Sequence, residues 1–505
     1  MASTSDNAGA GPWRHPADAQ FVSQEDCSKC KTRRIKCDRA LQGCRKCSKK
    51  GYQCPGYGPR VQWVNDAATR GRMRGLQATI LEDHARSQPN VIERLGSLDF
   101  IDDDGRNNPI GIHNHAQQHH SGMTSFGLTQ AWWDKLRRYY IDNIARHMVW
   151  VDTEKNLYRD YIIELASDRP VLRLSISAAA ALHWNATGNV EKVPFPESFR
   201  DEAVRGITTS VKDILEGTTQ LTLENAQWIL ASMMVLSCCE MIKAGAEAAD
   251  WHRRAARRLV GVIKTMNWCH DRMISFLINQ LAIYDVLSCT TSFDLSNIQE
   301  AILPMTEEGG ILFSKLLLLI HDVTLCRERY DKPDTQGDNQ EHLRPRKRAL
   351  LGLRESIELA RGETLMVAGT LGMQDPSDQR DFIRLADLYC KATLLFAYRV
   401  MHRDESNCGL QLIEDMFSVL TSIERPERIC HNLPWPLFIA GTECHGDPEK
   451  QKQIALHFKG VYDATGLIHY QELVEFLTLF WAGEESDWQI GAGQREAMGL
   501  RVLAV

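Results

Sequence analysis

The sequence predicts an all-α protein of two very unequal parts, a large all-helical domain preceded by a small module held together by cysteines. Three observations predict it. Beyond Leu128 the apolar residues recur at helical spacing: Leu259, Val262, Ile263 and Met266 step by 3, 1 and 3, which marks one buried helix face. Nothing in the chain alternates convincingly as a strand does, and the turn-like pairs Gly188-Asn189 and Gly309-Gly310 lack flanking strand patterns. Finally, 6 of the 15 cysteines crowd between Cys27 and Cys54.

Residues 1–20 are small and polar, with Gly and Pro, and read as a disordered arm without the apolar stretch of a signal peptide. The module at 21–60 follows. Its cysteines run Cys27-x2-Cys30-x6-Cys37, then x6, then Cys44-x2-Cys47-x6-Cys54, so the second half repeats the first. Each half offers three sulfurs on a turn and a short helix, whereas a structural zinc takes four at ~2.3 Å. Six thiolates therefore hold two Zn2+ only by sharing two of them. By the pseudo-symmetry Cys27 and Cys44 are the bridging pair, with Cys30 and Cys37 completing one metal and Cys47 and Cys54 the other. A segment this small buries too little to fold alone, so zinc supplies its folding free energy. A disulfide knot would need an oxidising compartment, and nothing in the arm points to one.

The module is also basic. Residues 21–60 hold eleven Lys and Arg against Glu25, Asp26 and Asp38, a formal +8; six thiolates and two Zn2+ bring this to +6. The whole chain is −6, so the residues outside 21–60 carry −14, and the positive field is concentrated here. A basic zinc-stapled module on an acidic body points to a polyanion.

CSKCKTRRIKCD followed by CRKCSKKGYQC resembles the Zn2Cys6 binuclear cluster of fungal transcription factors, with all cysteine spacings agreeing at once. The resemblance implies two Zn2+ and a helix that enters the major groove of double-stranded DNA at CGG-containing sites. It places Arg33 and Arg34 where the family approaches the guanines, flanked by Lys31 and Lys36. Arginine suits that task because its fork donates two hydrogen bonds to guanine O6 and N7. Lys46, Lys49 and Lys50 in the second half, and Arg60 beyond it, fit phosphate contacts, which position without specifying. Where the family often has a proline two residues before the fourth cysteine, this chain has Gln42, and Gly43 supplies the turn.

Residues 61–127 read as a mostly polar, flexible linker, opened by the Pro55–Pro59 turn residues. Asn65–Ser87 has helical character but no sustained heptad, so no coiled-coil dimer is predicted there, and a homodimer paired through the large domain stays open. His113, His115, His119 and His120 lie in low-complexity sequence and read as linker rather than a metal site.

From 128 to 505 the helices follow one another. The first covers TQAWWDKLRRYYIDNIARHMVW; then come Val171–His183, Glu197–Leu215, Leu223–Met241, Ala246–Met266, Asp271–Leu287, Ile311–Arg329, Ala349–Leu365, Asp381–Met401 and Leu410–Ile423, with two more near the end. NLPWPLFIAGTE and LTLFWAGEESDW resemble the helical regulatory domain of fungal-specific transcription factors; Trp435, Trp481 and Trp488 within them read as core. Arg253, Arg254, Arg257 and Arg258 read as a solvated helix face, and Arg344–Arg348 as the end of a solvated loop. The nine other cysteines fit small buried hydrophobes. The longest uncharged apolar run, Ala226–Cys239, is shorter than the ~18 residues of a membrane span, and no membrane partner is predicted.

These readings point to a nuclear, sequence-specific regulator of RNA polymerase II transcription, acting with the transcription machinery. The alternative is an enzyme or ligand-binding helical protein in which the zinc module is only a tether or protein-binding element. The chain contains no H-E-x-x-H, G-x-S-x-G, P-loop or G-x-G-x-x-G motif, and no catalytic residue is assigned. RING and LIM modules use histidine ligands, and no histidine lies between Cys27 and Cys54.

Overall fold

The computed structural model describes residues 29–30, 33, 35–38, 44–50, 52, 128–189, 191–243, 246–305, 312–330, 343–401 and 407–505. The predicted arm at 1–20 and linker at 61–127, with its four histidines, lie outside them. The chain divides into two compact units, one containing the cysteine module and the other residues 128–505.

The module's described helix is α1 (Arg45–Ser48). The large unit runs α2 (Gln130–Asn143), α3 (Tyr161–Asp168), α4 (Pro170–Ala186), α5 (Pro196–Leu215), α6 (Leu223–Ile242), α7 (Ala246–Thr265), α8 (Arg272–Cys289), α9 (Leu295–Gln299), α10 (Ser314–Tyr330), α11 (Leu343–Gly369), α12 (Pro376–Met401), α13 (Asn407–Ser422), α14 (Pro426–Ile429), α15 (Pro434–Thr442), α16 (Pro448–Thr465), α17 (His469–Ala482) and α18 (Trp488–Ala497). No strand occurs among the described residues, and the predicted all-α class stands.

The helices begin where the sequence supplies caps. Thr129 accepts from the Trp132 N–H at 3.2 Å, Thr222 from Asn225 at 3.2 Å, and Asp271 from both Met273 and Ile274. Pro170, Pro196, Pro434 and Pro448 occupy first helical positions, where a missing N–H costs nothing. Helix α6 is apolar all round. It is long and apolar enough to cross a membrane, but 89% of its apolar window is buried inside the protein, as in the core helix of a globular bundle. Close crossings need glycine: a Cβ on Gly206 of α5 would stand 2.6 Å from Val171 of α4, and one on Gly441 of α15 2.8 Å from Leu477 of α17.

All nine bounded helices anticipated between Val171 and Ile423 are present, with shifted ends. Arg344–Arg348, expected in a loop, lies in the first turns of α11. The segment around Trp435 is itself a helix, so four helices stand in the last stretch rather than two. Helices α3, α9 and α14 were not anticipated; at four to eight residues they are too short to display a period. Trp435 and Trp488 are fully buried, and Trp481 is half-buried with its indole N–H donating to the Gly441 carbonyl at 2.8 Å.

The basic patch on α7 is a solvated face only in part: Arg254 is exposed and Arg258 half-buried, but the other two arginines are not solvated. Arg253 and Arg257 are buried against Asp285 of α8, which is fully enclosed. Arg257 Nε lies 2.6–2.7 Å from both Asp285 oxygens, and its Nη1 donates to Asn297 O and Oδ1 at 2.8 and 3.0 Å. Arg253 also pairs with Asp250, as do Arg254 and Arg501. Burial raises the Asp250 pKa, but the Arg253, Arg501 and Arg254 charges outweigh it and hold this carboxyl well below the usual range. Arg254 alone of these has a half-exposed side chain.

Two histidines, His469 buried and His431 half-buried, give the fold an acid limit. Burial pulls His469 down to about 4 against opposing backbone interactions at Val505 and Met241, and His431 likewise to about 4 against the Val149 backbone. A base whose folded pKa is depressed contributes stability that is complete above its unfolded pKa of ~6.5 and lost as pH falls toward the folded value. At ~1.4 kcal/mol per unit, His469 alone removes about 3 kcal/mol between pH 6.5 and 4. Urea unfolding of the full chain across that interval should show the loss, and His469→Gln should flatten it; an unchanged slope in the variant would assign the acid limit to other groups.

Candidate metal centre and nucleic-acid interface

Four of the six module cysteines, Cys30, Cys37, Cys44 and Cys47, fall among the described residues, and all four are buried. The Sγ atoms of Cys30, Cys37 and Cys44 lie within 4.8 Å of one another, and Cys30 Sγ is 3.6 Å from Cys44 Sγ. Two thiolates on one tetrahedral zinc at ~2.3 Å stand ~3.8 Å apart, whereas a disulfide closes to ~2.05 Å. The separation fits shared metal ligation and not a disulfide.

Local structure explains why these sulfurs meet. Lys29 and Cys30 are helical, and the Arg33 and Ile35 N–H groups donate to Lys29 O and Cys30 O, both at 3.1 Å, closing a turn that returns the chain toward Cys37. Ile35 packs against the cysteines as their apolar neighbour. Cys44 caps α1: its Sγ accepts from the Cys47 N–H at 3.3 Å. The first half reaches the second through Asp38, whose carboxylate accepts from the Arg45 N–H at 2.9 Å and the Lys46 N–H at 3.4 Å. Slight burial raises the Asp38 pKa, but the backbone N–H donors, Arg45 first, more than compensate and leave it below the ordinary value.

The positive charges lie outside this sulfur core. Lys29, Lys36, Arg45, Lys46, Lys49 and Lys50 are exposed. Arg33 is half-buried, its guanidinium 5.2 Å from the centre of the Tyr52 ring, with Lys29 Nζ over the same ring at 5.0 Å. Cation–π contact thus ties the helix of the first half to the second half. Cys27, Lys31, Arg34, Cys54 and Arg60 lie outside the described residues. Sequence reading assigned no role to Tyr52, and it noted Asp38 only as part of the motif. Asp38 stands directly after a cysteine, where a motif gives it away, but the role of Tyr52 depends on two halves meeting in space.

The module can hold metal by its buried thiolates and face a polyanion with its exposed lysines. Comparison with known families agrees. The model of the fungal Zn(2)-Cys(6) binuclear cluster domain matches residues 26–63, and that of the fungal specific transcription factor domain matches residues 135–490, well over half of the chain. No curated protein and no solved structure matches. With the sulfur geometry, the basic exterior and the helical body all in agreement, the chain belongs to the fungal-specific transcription factors, as a DNA-binding regulator whose N-terminal cluster binds two zinc ions.

Proposed function

We propose that this protein is a nuclear regulator of RNA polymerase II transcription that reads CGG-type triplets, and that it is not an enzyme. The observation that carries the reading is the convergence of Cys30, Cys37 and Cys44 beneath an exposed basic surface. In this reading Cys27 and Cys44 bridge two zincs, with Cys30 and Cys37 completing one and Cys47 and Cys54 the other. Residues 21–60 form the DNA-reading module, 61–127 the linker and 128–505 the regulatory domain. Arg34 and Arg33 read guanines between Lys31 and Lys36, while Lys46, Lys49, Lys50 and Arg60 take phosphates.

The test is selection of the full chain, loaded with zinc, against a randomised duplex pool, repeated after chelation. CGG-containing sites should be enriched with zinc and lost without it, and the spacing recovered will report one copy or a homodimer. Zinc-dependent folding without enrichment would turn the module into a tether or protein-binding element. If the four second-half and flanking cations each neutralise one phosphate, the slope of log affinity against log salt should be about −3 to −4; a flat dependence would refute phosphate neutralisation.

Arg34→Ala should relax preference at one guanine by ~1–3 kcal/mol while leaving zinc content unchanged. A panel of duplexes mutated at each triplet position measures it. Equal discrimination by the variant and the parent would place base reading on another residue.

A further inference from the structure

The helical domain leaves in water one long helix face with the composition of a buried one. On α11, Leu351, Leu359 and Met366 are 65, 70 and 76% exposed. At about 100° of turn per residue they share an arc of roughly 100° with Gly352, Glu355, Gly362 and Gly369. Between 351 and 369, Glu355 is the only charged residue in that arc, although the exposed face of a helix is ordinarily its polar one. The glycines inside the helix make the same point independently. Glycine weakens a helix interior relative to alanine, and neither Gly352 nor Gly362 has a positive φ that would require it. A Cβ on either would meet nothing within 4 Å, so neither makes room for a neighbour within the domain as Gly206 and Gly441 do.

Large apolar side chains beside missing ones suit the close crossing of a second helix, whose bulky residues fill the gaps. The face is also complementary to itself, as an interface between two copies about a two-fold axis must be. When two copies of α11 run antiparallel about an axis at Leu359, residues equally far before and after Leu359 come opposite one another. Leu359 then meets its own copy, and Met366 of each copy covers the open Gly352 of the other. Glu358 comes beside the second copy's Arg361, which Asp387 holds in place at 2.5 Å. Glu355 comes opposite Glu363, a like charge that Lys315 already pairs. With Glu355, Glu358 and Glu363 on or beside the arc, an anionic membrane is a poor occupant.

We propose that α11 is a dimerisation helix, its Leu351, Leu359 and Met366 face pairing antiparallel with α11 of a second copy of this chain about a two-fold axis at Leu359. The surface belongs to the helical domain and needs neither zinc nor DNA. Paired over residues 351–369, the helices run side by side for roughly 28 Å. That is the small end of specific interfaces, so the association should be of micromolar order.

The test is sedimentation velocity of the zinc-loaded full chain, without DNA, from about 1 to 100 µM. A reversible dimer should appear across that range. Leu359→Glu sets two carboxylates against each other at the axis and should weaken the dimer roughly 100-fold or more. Leu479→Glu, at a leucine of α17 that is 66% exposed, should leave it unchanged. Gly362→Ala should have two opposed effects. It should raise the urea midpoint of the dilute monomer, because α11 gains helix propensity and the added methyl meets no neighbour. The same methyl should hold the two helices apart and weaken the dimer roughly tenfold. A gain in stability alongside a loss of dimer excludes misfolding as the cause. A chain that stays monomeric at about 100 µM would overturn the proposal and leave the face to another occupant. A dimer left intact by Leu359→Glu or Gly362→Ala, or broken equally by Leu479→Glu, would overturn it as well.

Discussion

Cys44→Ala is expected to strip zinc from the N-terminal module and abolish DNA binding while the helical domain stays folded. Cys44 is the sulfur through which the halves of the module meet. Its Sγ lies 3.6 Å from Cys30 Sγ, shares a 4.8 Å cluster with Cys37, and accepts the Cys47 N–H at the start of α1. If it bridges the metals, one substitution leaves both with three thiolates. Structural zinc contributes roughly 10–16 kcal/mol in modules of this kind, far more than a four-cysteine core can supply by burial. Metal analysis should fall from two zincs per chain toward none, with specific DNA affinity lost in the same preparation. The large unit has its own hydrophobic core, so its far-ultraviolet helix signal should persist. Two zincs per chain in the variant would remove Cys44 from the ligand set. One retained zinc would make Cys44 a terminal ligand and refute the bridge.

Asp285→Ala should be the most damaging polar substitution in the helical domain, at about 3–5 kcal/mol. The carboxylate is fully enclosed and accepts from Arg253, from Arg257 Nε and from the Ile302 N–H at 2.6 Å. Its removal leaves two buried guanidiniums short of a counter-charge. Asp250 still serves Arg253, and Asn297 still accepts from Arg257, so the domain should be weakened rather than refused a fold. Arg254→Ala is the control: its half-exposed side chain pairs with Asp250, and such a pair contributes about 0–1 kcal/mol. Urea unfolding with matched m-values decides the comparison. Equal midpoints for the two variants would mean that the buried network adds nothing.

The same network marks where sequence reading stopped. Arg253, Arg254, Arg257 and Arg258 look like a basic face when only α7 is considered, because the charge pattern along a helix records its spacing and not its surroundings. The partners that bury Arg253 and Arg257 sit on α8 and at Asn297, 28 to 44 residues further along. Helix ends behaved otherwise. Thr222 and Asp271 cap α6 and α8 through atoms two or three residues away, so local sequence was enough to start those helices. The stretch around Trp435 was harder: its prolines suggest a break, yet Pro434 and Pro436 lie in the first turn of α15, where the helix does not need their N–H groups.

The sequence by itself determined the metal chemistry and the fold class. Chelation needs only thiolates at fixed short spacings, and a helix needs only a repeated apolar face. Both requirements are met within a few residues along the chain. Tertiary structure decided which charges are solvated, that Arg33 rests over Tyr52, and that Asp38 ties the two halves of the module together. Each of these depends on residues distant in sequence becoming neighbours, and burial, not residue identity, sets what a buried arginine or histidine does.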